Sequence, residues 1–223
     1  MWKTLGRSNQ KRPLRAWVSG DPAMPCRIVF GGFHGDEPKS VDVAERFITS
    51  LQDAVATKSS TSEAIAAHHW VVLPLVNPDG FEIRNRRNAR RVDINRNFPT
   101  SNFEVGRSRS RMYGGPKPAS ESETRAVMRI IERFSPASII TIHSISGNRY
   151  CNNYDGPART LANRMKKANG YPVAASIGYP TPGSFGSWAG IERSIPTVTL
   201  ELPSHHSGKR CWLDNQDALL VKP

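Results

Sequence analysis

Short apolar runs, each bounded by turn-forming residues, recur along this chain and alternate with amphipathic stretches. The runs are "LRAWV" (14–18), "RIVFGGF" (27–33), "WVVLPLV" (70–76), "SIITIH" (138–143), "VAASIGY" (173–179) and "TVTLEL" (197–202). Most are rich in β-branched residues, and that pattern predicts buried strands. Between them, "SVDVAERFITSLQDAVA" places Val41, Ala44, Phe47, Ile48 and Leu51 near one helical face. "SESETRAVMRIIERF" carries Ser120 and Glu123 in capping-box spacing and stops before Pro136. "ARTLANRMKKANG" ends on Gly170, a residue suited to a helix C-terminus. Strands alternating with helices predict an α/β domain whose sheet is covered on both faces.

A chain of 223 residues buries a core without disulfide staples and fits one domain. The stretches 58–69 and 100–118 read as surface connections too short to separate two domains, and no internal repeat is present. No apolar run reaches 18 residues, so no membrane span is expected. The N-terminal segment has basic residues but no apolar core or cleavage site of a secretory leader, which predicts a cytoplasmic protein. Cys26, Cys151 and Cys211 are too few and too widely spaced for a disulfide framework or a zinc ribbon. The net charge of +12 favours an anionic partner. Six arginines fall between Arg84 and Arg96, and Arg107, Arg109 and Arg111 alternate with serine. No aromatic residue interrupts the basic run between Phe81 and Phe98, which argues against single-stranded nucleic acid.

Open α/β sheets bind ligands beyond the carboxyl ends of their strands. In this sequence those ends carry polar residues. His34 and Glu37 follow the second run in "GGFHGDEP", Asn77 to Gly80 follow the third, His143 ends the fourth and Glu201 lies near the end of the sixth. If those strands are parallel neighbours, the residues meet at one sheet edge. An imidazole and a carboxylate three positions apart are two good zinc ligands, and His143 offers a third. Three protein ligands leave a coordination position for a water or substrate. A polar turn and a core histidine are the plainer readings. Glu201 interrupts an apolar run, where a carboxylate must be paired, neutral or functional. Beside a metal it suits a general base. Strand alternation also allows Thr197, Thr199 and Glu201 to share a solvated face. Asn95 and Arg96 in "VDINRNFP" pair a neutral donor with a forked cation that fits a carboxylate.

Taken together, "GRSNQKRPL", "GGFHGDEP", "LVNPDGFEIRNRRNARRVDINRNFP", "PASESETRAV", "IITIHS", "TPGSFGSW" and "TVTLELP" resemble the zinc carboxypeptidases of the M14 family over about Leu5 to Pro203. "IGYPTPGSFGSWAG" and "VDINRNFP" are most similar to its murein peptide amidase A branch. The resemblance implies a single zinc peptidase domain over residues 1–223. Its expected form is three layers, α/β/α, with a mixed, largely parallel central sheet. It also implies one zinc per chain, held by His34, Glu37 and His143, with Glu201 as the catalytic glutamate. Arg86 falls at the position of the oxyanion arginine, with Arg84 and Arg87 as neighbouring alternatives. Asn95 and Arg96 match the pair that grips the substrate carboxylate.

Tyr179 lies near the place of the family's mobile substrate-binding tyrosine, and Phe185 near that of the residue selecting the leaving side chain. Since Phe185 is not an aspartate, selection of a basic side chain by that position is not expected. The implied reaction is hydrolysis of the γ-D-glutamyl–meso-diaminopimelate bond of murein peptides, on a free-carboxylate substrate, without nucleic acid or membrane. A general metallocarboxypeptidase is the alternative within the family. A non-catalytic anion-binding module would need a missing ligand or base, and the sequence lacks neither. His205 and His206 read as loop residues.

Overall fold

The computed structural model describes residues 1–57 and 65–222; most of the 58–69 connection therefore lies outside the described residues. Strands β1 (Trp2–Arg7), β2 (Pro13–Ser19), β3 (Cys26–Phe30), β4 (His69–Leu73), β5 (Ser138–Ile145), β6 (Cys151–Asp155), β7 (Val173–Ala174) and β8 (Thr197–Pro203) form one sheet. Its order is β1-β2-β4-β3-β5-β8-β6-β7. The four central strands, β4, β3, β5 and β8, run parallel to one another. β2 joins β4, and β6 joins β8, in antiparallel fashion. The result is a mixed sheet with a parallel centre, and its central strands β3, β4 and β5 are buried on both faces.

Among the described residues the sheet is flanked by helices α1 (Pro38–Thr57), the short α2 (Pro78–Glu82), α3 (Ser122–Phe134), α4 (Arg159–Asn169) and α5 (Gly208–Leu220). Alternation along each strand sends successive side chains to opposite faces. Val29, Val72, Ile140 and Val198 pack with α1, α4 and α5 through Phe47, Leu161 and Leu219. Ile28, Phe30, Leu73 and Ile139 pack on the other face with Val127 and Ile130 of α3 and with Phe98, Phe185 and Trp188. Among the described residues no helix is long and apolar enough to cross a membrane. The three cysteines are buried and unbonded.

Local details depart from the sequence pattern in three places. The "VAASIGY" run forms a strand only at Val173 and Ala174, because it pairs with β6 over two residues and then turns into loop. Ser120 and Glu123 do not build a capping box. Glu121 is the N-cap of α3 without a side-chain capping bond, its carboxylate accepts from Ser120 Oγ, and Glu123 accepts from Asn9. Strand β1, which stays at the sheet edge with no buried residue, and strand β6 and helix α5, which are buried by their neighbours, carry no clear periodic signal. Gly170 does end α4, at φ 74°, with its N–H bonded to Lys166 O.

Candidate active site

The carboxyl ends of β3, β5 and β8 converge on a cavity of about 620 Å³. The loop after β3 is tied to the loop after β4 by Val76 N–H to Gly31 O and Asn77 N–H to Gly32 O. Asn77 caps α2 through Gly80 N–H, and its amide donates to Phe33 O and Arg86 O. Gly35 lies so close to Gly80 that a Cβ would sit 2.1 Å from the Gly80 carbonyl carbon. This packing presses "GGFHGDEP" against "NPDG" and aims His34 and Glu37 inward. Asp79 of the same turn accepts from Ser8 Oγ, Gln10 N–H and Arg12, which ties in the N-terminal "GRSNQKR" segment.

His34, Glu37 and His143 are buried, and one ligand atom from each falls within 4.8 Å of the others. His34 Nδ1 lies 2.7 Å from Glu37 Oε1 and 3.2 Å from His143 Nδ1. His143 Nδ1 is 3.2 Å from Glu37 Oε2, and Ser144 N–H donates to that oxygen at 2.9 Å. His34 Nε2 faces Asp93 Oδ1 at 3.1 Å. An ionised carboxylate only accepts, so Asp93 holds the proton on Nε2 and leaves the Nδ1 lone pair pointing inward. Two imidazole nitrogens and a carboxylate aimed at one point form a good donor set for a divalent cation, and a carboxylate behind a ligating histidine is the usual support. The residues present fit a zinc ion.

Arg86 donates Nε to Asp93 Oδ2 at 2.9 Å and brings Nη1 to 3.5 Å from Glu37 Oε1. Burial works to raise Asp93, but Arg86 and His34 outweigh it and hold the acid well below the usual carboxylate range. Burial likewise opposes ionisation of Glu37, and His34 and His143 hold it low. Glu201 is different. Burial, followed by the charge of Glu37, pushes it up to about 8, against the pull of His34, Arg86 and Arg96. A dication beside it would favour the carboxylate.

Asn95 Oδ1 accepts from Phe185 N–H at 2.9 Å, so its NH₂ group remains a donor. Arg96 is buried, donates Nη1 to Asn95 O at 2.6 Å, leaves Nε without a partner and pairs with no carboxylate among the described residues. Asn95, Arg96, Arg86 and Glu201 line the cavity with the His–Glu–His cluster, and half-buried Tyr179 lines its mouth. Arg84 is exposed and Arg87 binds Ser108 O and Ser110 O, so neither shares the cavity. His205 and His206 lie in the turn after β8.

A sequence model of the zinc carboxypeptidases, family M14, matches residues 2–209. The chain belongs to this family. This M14 peptidase is 32% identical to murein peptide amidase A of Escherichia coli K12 over 213 residues, covering 89% of this chain and 79% of the relative. It is 33% identical to murein peptide amidase A of Vibrio campbellii over 212 residues, covering 90% and 78%. The crystal structure of murein-tripeptide amidase from Escherichia coli O157 superposes with a TM-score of 0.74 at 28% identity, over 100% of this chain and 92% of that one. Carboxypeptidase A from Helicoverpa armigera shares the fold, with a TM-score of 0.83 at 19% identity over 98% and 66%. The fold and the enzyme class, a zinc-family metallopeptidase, are those the motifs implied.

One expected site residue of this M14 peptidase is corrected. Phe185 does not line the cavity. Its ring is buried against Phe30, Phe33, Phe98 and Trp188, with centroids 5.2–6.1 Å apart, as part of the sheet-face core. The neighbours Ser184, Gly186 and Ser187 face the cavity in its place. Sequence reasoning also missed Asp93, whose signal was its place two residues before Asn95; Asp155, at the end of the unrecognised strand β6, lines the cavity.

Proposed function

We propose that this enzyme is a zinc-dependent amidase of murein peptides that hydrolyses the γ-D-glutamyl–meso-diaminopimelate bond. The whole of residues 1–223 is read as its one catalytic domain, working in the cytoplasm on released wall peptides with a free carboxylate. The observation that carries the bond preference is the 32% identity to murein peptide amidase A across 89% of the chain. The net charge of +12 suits an acidic peptide.

In this reading His34, Glu37 and His143 hold one zinc ion per chain. When bound there, zinc supplies Lewis-acid polarisation of the scissile carbonyl and acidifies water. Glu201 removes the proton from the attacking water and returns it to the leaving amine nitrogen. Arg86, held by Asp93 and Glu37, presents its guanidinium to the developing oxyanion. The Asn95 amide and the unpaired guanidinium of Arg96 grip the carboxylate of the leaving residue, and Tyr179 covers the bound peptide at the cavity mouth.

Kinetics on L-Ala-γ-D-Glu-meso-diaminopimelate, with and without chelator, beside ordinary L-peptides of the same length, test the proposal. Chelator-sensitive cleavage of the tripeptide with the higher kcat/KM supports it. A higher kcat/KM on the ordinary peptides makes the enzyme a general metallocarboxypeptidase.

A further inference from the structure

Two arginine-rich loops take little part in the reaction. Arg84, Arg87, Arg90 and Arg91 follow α2, and Arg107, Arg109 and Arg111 alternate with serine further on. Arg87 joins the loops by donating Nη1 to Ser108 O at 3.3 Å and to Ser110 O at 3.2 Å. Asp93 N–H donates to Tyr113 O at 2.8 Å and closes the second loop against the first. The loops therefore form one basic surface. It meets the rim of the active-site cavity at Arg111, whose guanidinium holds Asp36 Oδ2 at 2.6 Å.

This charge is not neutralised from within. Arg84, Arg91, Arg107 and Arg109 are exposed and pair with no carboxylate among the described residues. Exposed Arg90 comes only to 3.9 Å from the buried Glu121. Between Phe81 and Tyr113 the exposed acids are Glu82 and Glu104 alone. Exposed aliphatic side chains are interleaved with the cations. Ile83 is 65% exposed beside Arg84, and Val105 is 65% exposed two residues before Arg107. Met112 is 44% exposed beside Arg111.

A partner for this surface must be anionic, extended and able to take apolar tips. Single-stranded nucleic acid stacks its bases on rings, and here Phe103 and Tyr113 are half-buried and no aromatic residue is exposed. A nucleic acid duplex would use the cations and leave the aliphatic side chains in water. An anionic bilayer uses both, because its headgroups attract guanidinium groups and the layer beneath them accepts aliphatic side chains. No described helix is long and apolar enough to cross a membrane, so the contact is peripheral. We propose that these two loops dock the enzyme on an anionic phospholipid surface, with the arginines on the headgroups and Ile83, Val105 and Met112 in the interfacial layer. Docking sets the cavity mouth beside the bilayer. The proposal is independent of which peptide is cleaved, and it replaces the expectation that no membrane takes part.

The test is co-sedimentation of the full chain with vesicles of phosphatidylcholine alone and of phosphatidylcholine with phosphatidylglycerol. At about 0.1 M salt the anionic vesicles should bind on the order of 100-fold more tightly than the neutral ones. The difference should collapse at about 1 M salt, where screening is nearly complete. Arg91→Gln, Arg107→Gln and Arg109→Gln combined should weaken binding to anionic vesicles by on the order of 100-fold, about fivefold per cation. Ile83→Ser with Val105→Ser should weaken it by about tenfold and leave binding to duplex DNA unchanged. All five side chains are exposed, so the melting temperature of both variants should match wild type. Equal binding of wild type to the two kinds of vesicle, or no binding to either, overturns the proposal without any variant. Undiminished binding by the arginine variant also overturns it. Undiminished vesicle binding by the Ile83 and Val105 variant overturns the lipid assignment and leaves a surface for polyanions in general.

Discussion

His143 on β5 and Glu201 on β8 are direct neighbours in a parallel strand pair. One belongs to the His–Glu–His cluster and the other stands beside it as a carboxyl held high by burial. The placement of these two groups side by side is thus set by strand register, and register is difficult to change without turning every side chain of the strand to the wrong face.

In the proposed mechanism Glu201→Gln keeps the shape and removes the base. Turnover should fall by about 10²–10⁴, the usual contribution of a general base. Metal content and melting temperature should stay near wild type. Turnover within a fewfold of wild type would move the base elsewhere.

Metal analysis of the purified enzyme should give one zinc per chain, and His143→Ala should lose it. Asp93→Asn retains an acceptor but weakens the hold on the His34 Nε2 proton. A support behind a ligand is typically worth about 10–100-fold in metal affinity. Competition with a chromophoric chelator measures this, and an unchanged affinity would show that Asp93 serves Arg86 alone.

Arg96→Ala should weaken binding of free-acid peptides by on the order of 10–100-fold while sparing the matching C-terminal amides. The comparison of acid and amide KM values in wild type and variant is the measurement. Equal discrimination in both proteins would place the carboxylate anchor on another arginine.

Phe185→Ala should act on stability. Emptying a fully buried aromatic site costs about 3–5 kcal/mol, and urea unfolding should show it. Phe185→Leu should recover much of the loss. The ranking of leaving residues should be the same in Phe185→Leu and wild type; a changed ranking would return Phe185 to the pocket.

Asp155 gives a pH signature. Its folded value is raised from 3.8 to about 6. Between those values the folded state holds a proton that the unfolded chain has released, so stability falls as pH rises through this window and the full cost is present above it. Asp155→Asn should therefore be more stable than wild type at neutral pH, by on the order of 1–3 kcal/mol, with the difference vanishing near pH 4. Urea midpoints of both proteins from pH 4 to 8 check this. A difference that does not vary with pH would show that Asp155 is not held as described.

The sequence alone marked the apolar runs that form the centre of the sheet and the polar residues at their carboxyl ends, His34, Glu37, His143 and Glu201, which meet if those strands lie parallel. Each rests on local chemistry: an apolar run needs burial wherever it lies, and a polar residue at its carboxyl end can only emerge at the sheet edge. What the tertiary structure decided rests on neighbours. "CNNYD" is too polar to announce a strand, and it becomes β6 because β8 and β7 supply its partners. Phe185 opens a short helical turn, where too few residues precede it for periodicity to say which way its side chain points. Packing against Phe98 and Trp188 turned it inward and left Gly186 facing the cavity. Asp93 and Asp155 were in plain view as letters, but a carboxylate's role depends on what stands within a few ångströms of it. Only the folded chain set His34 and Arg86 beside the first and two bare glycines beside the second.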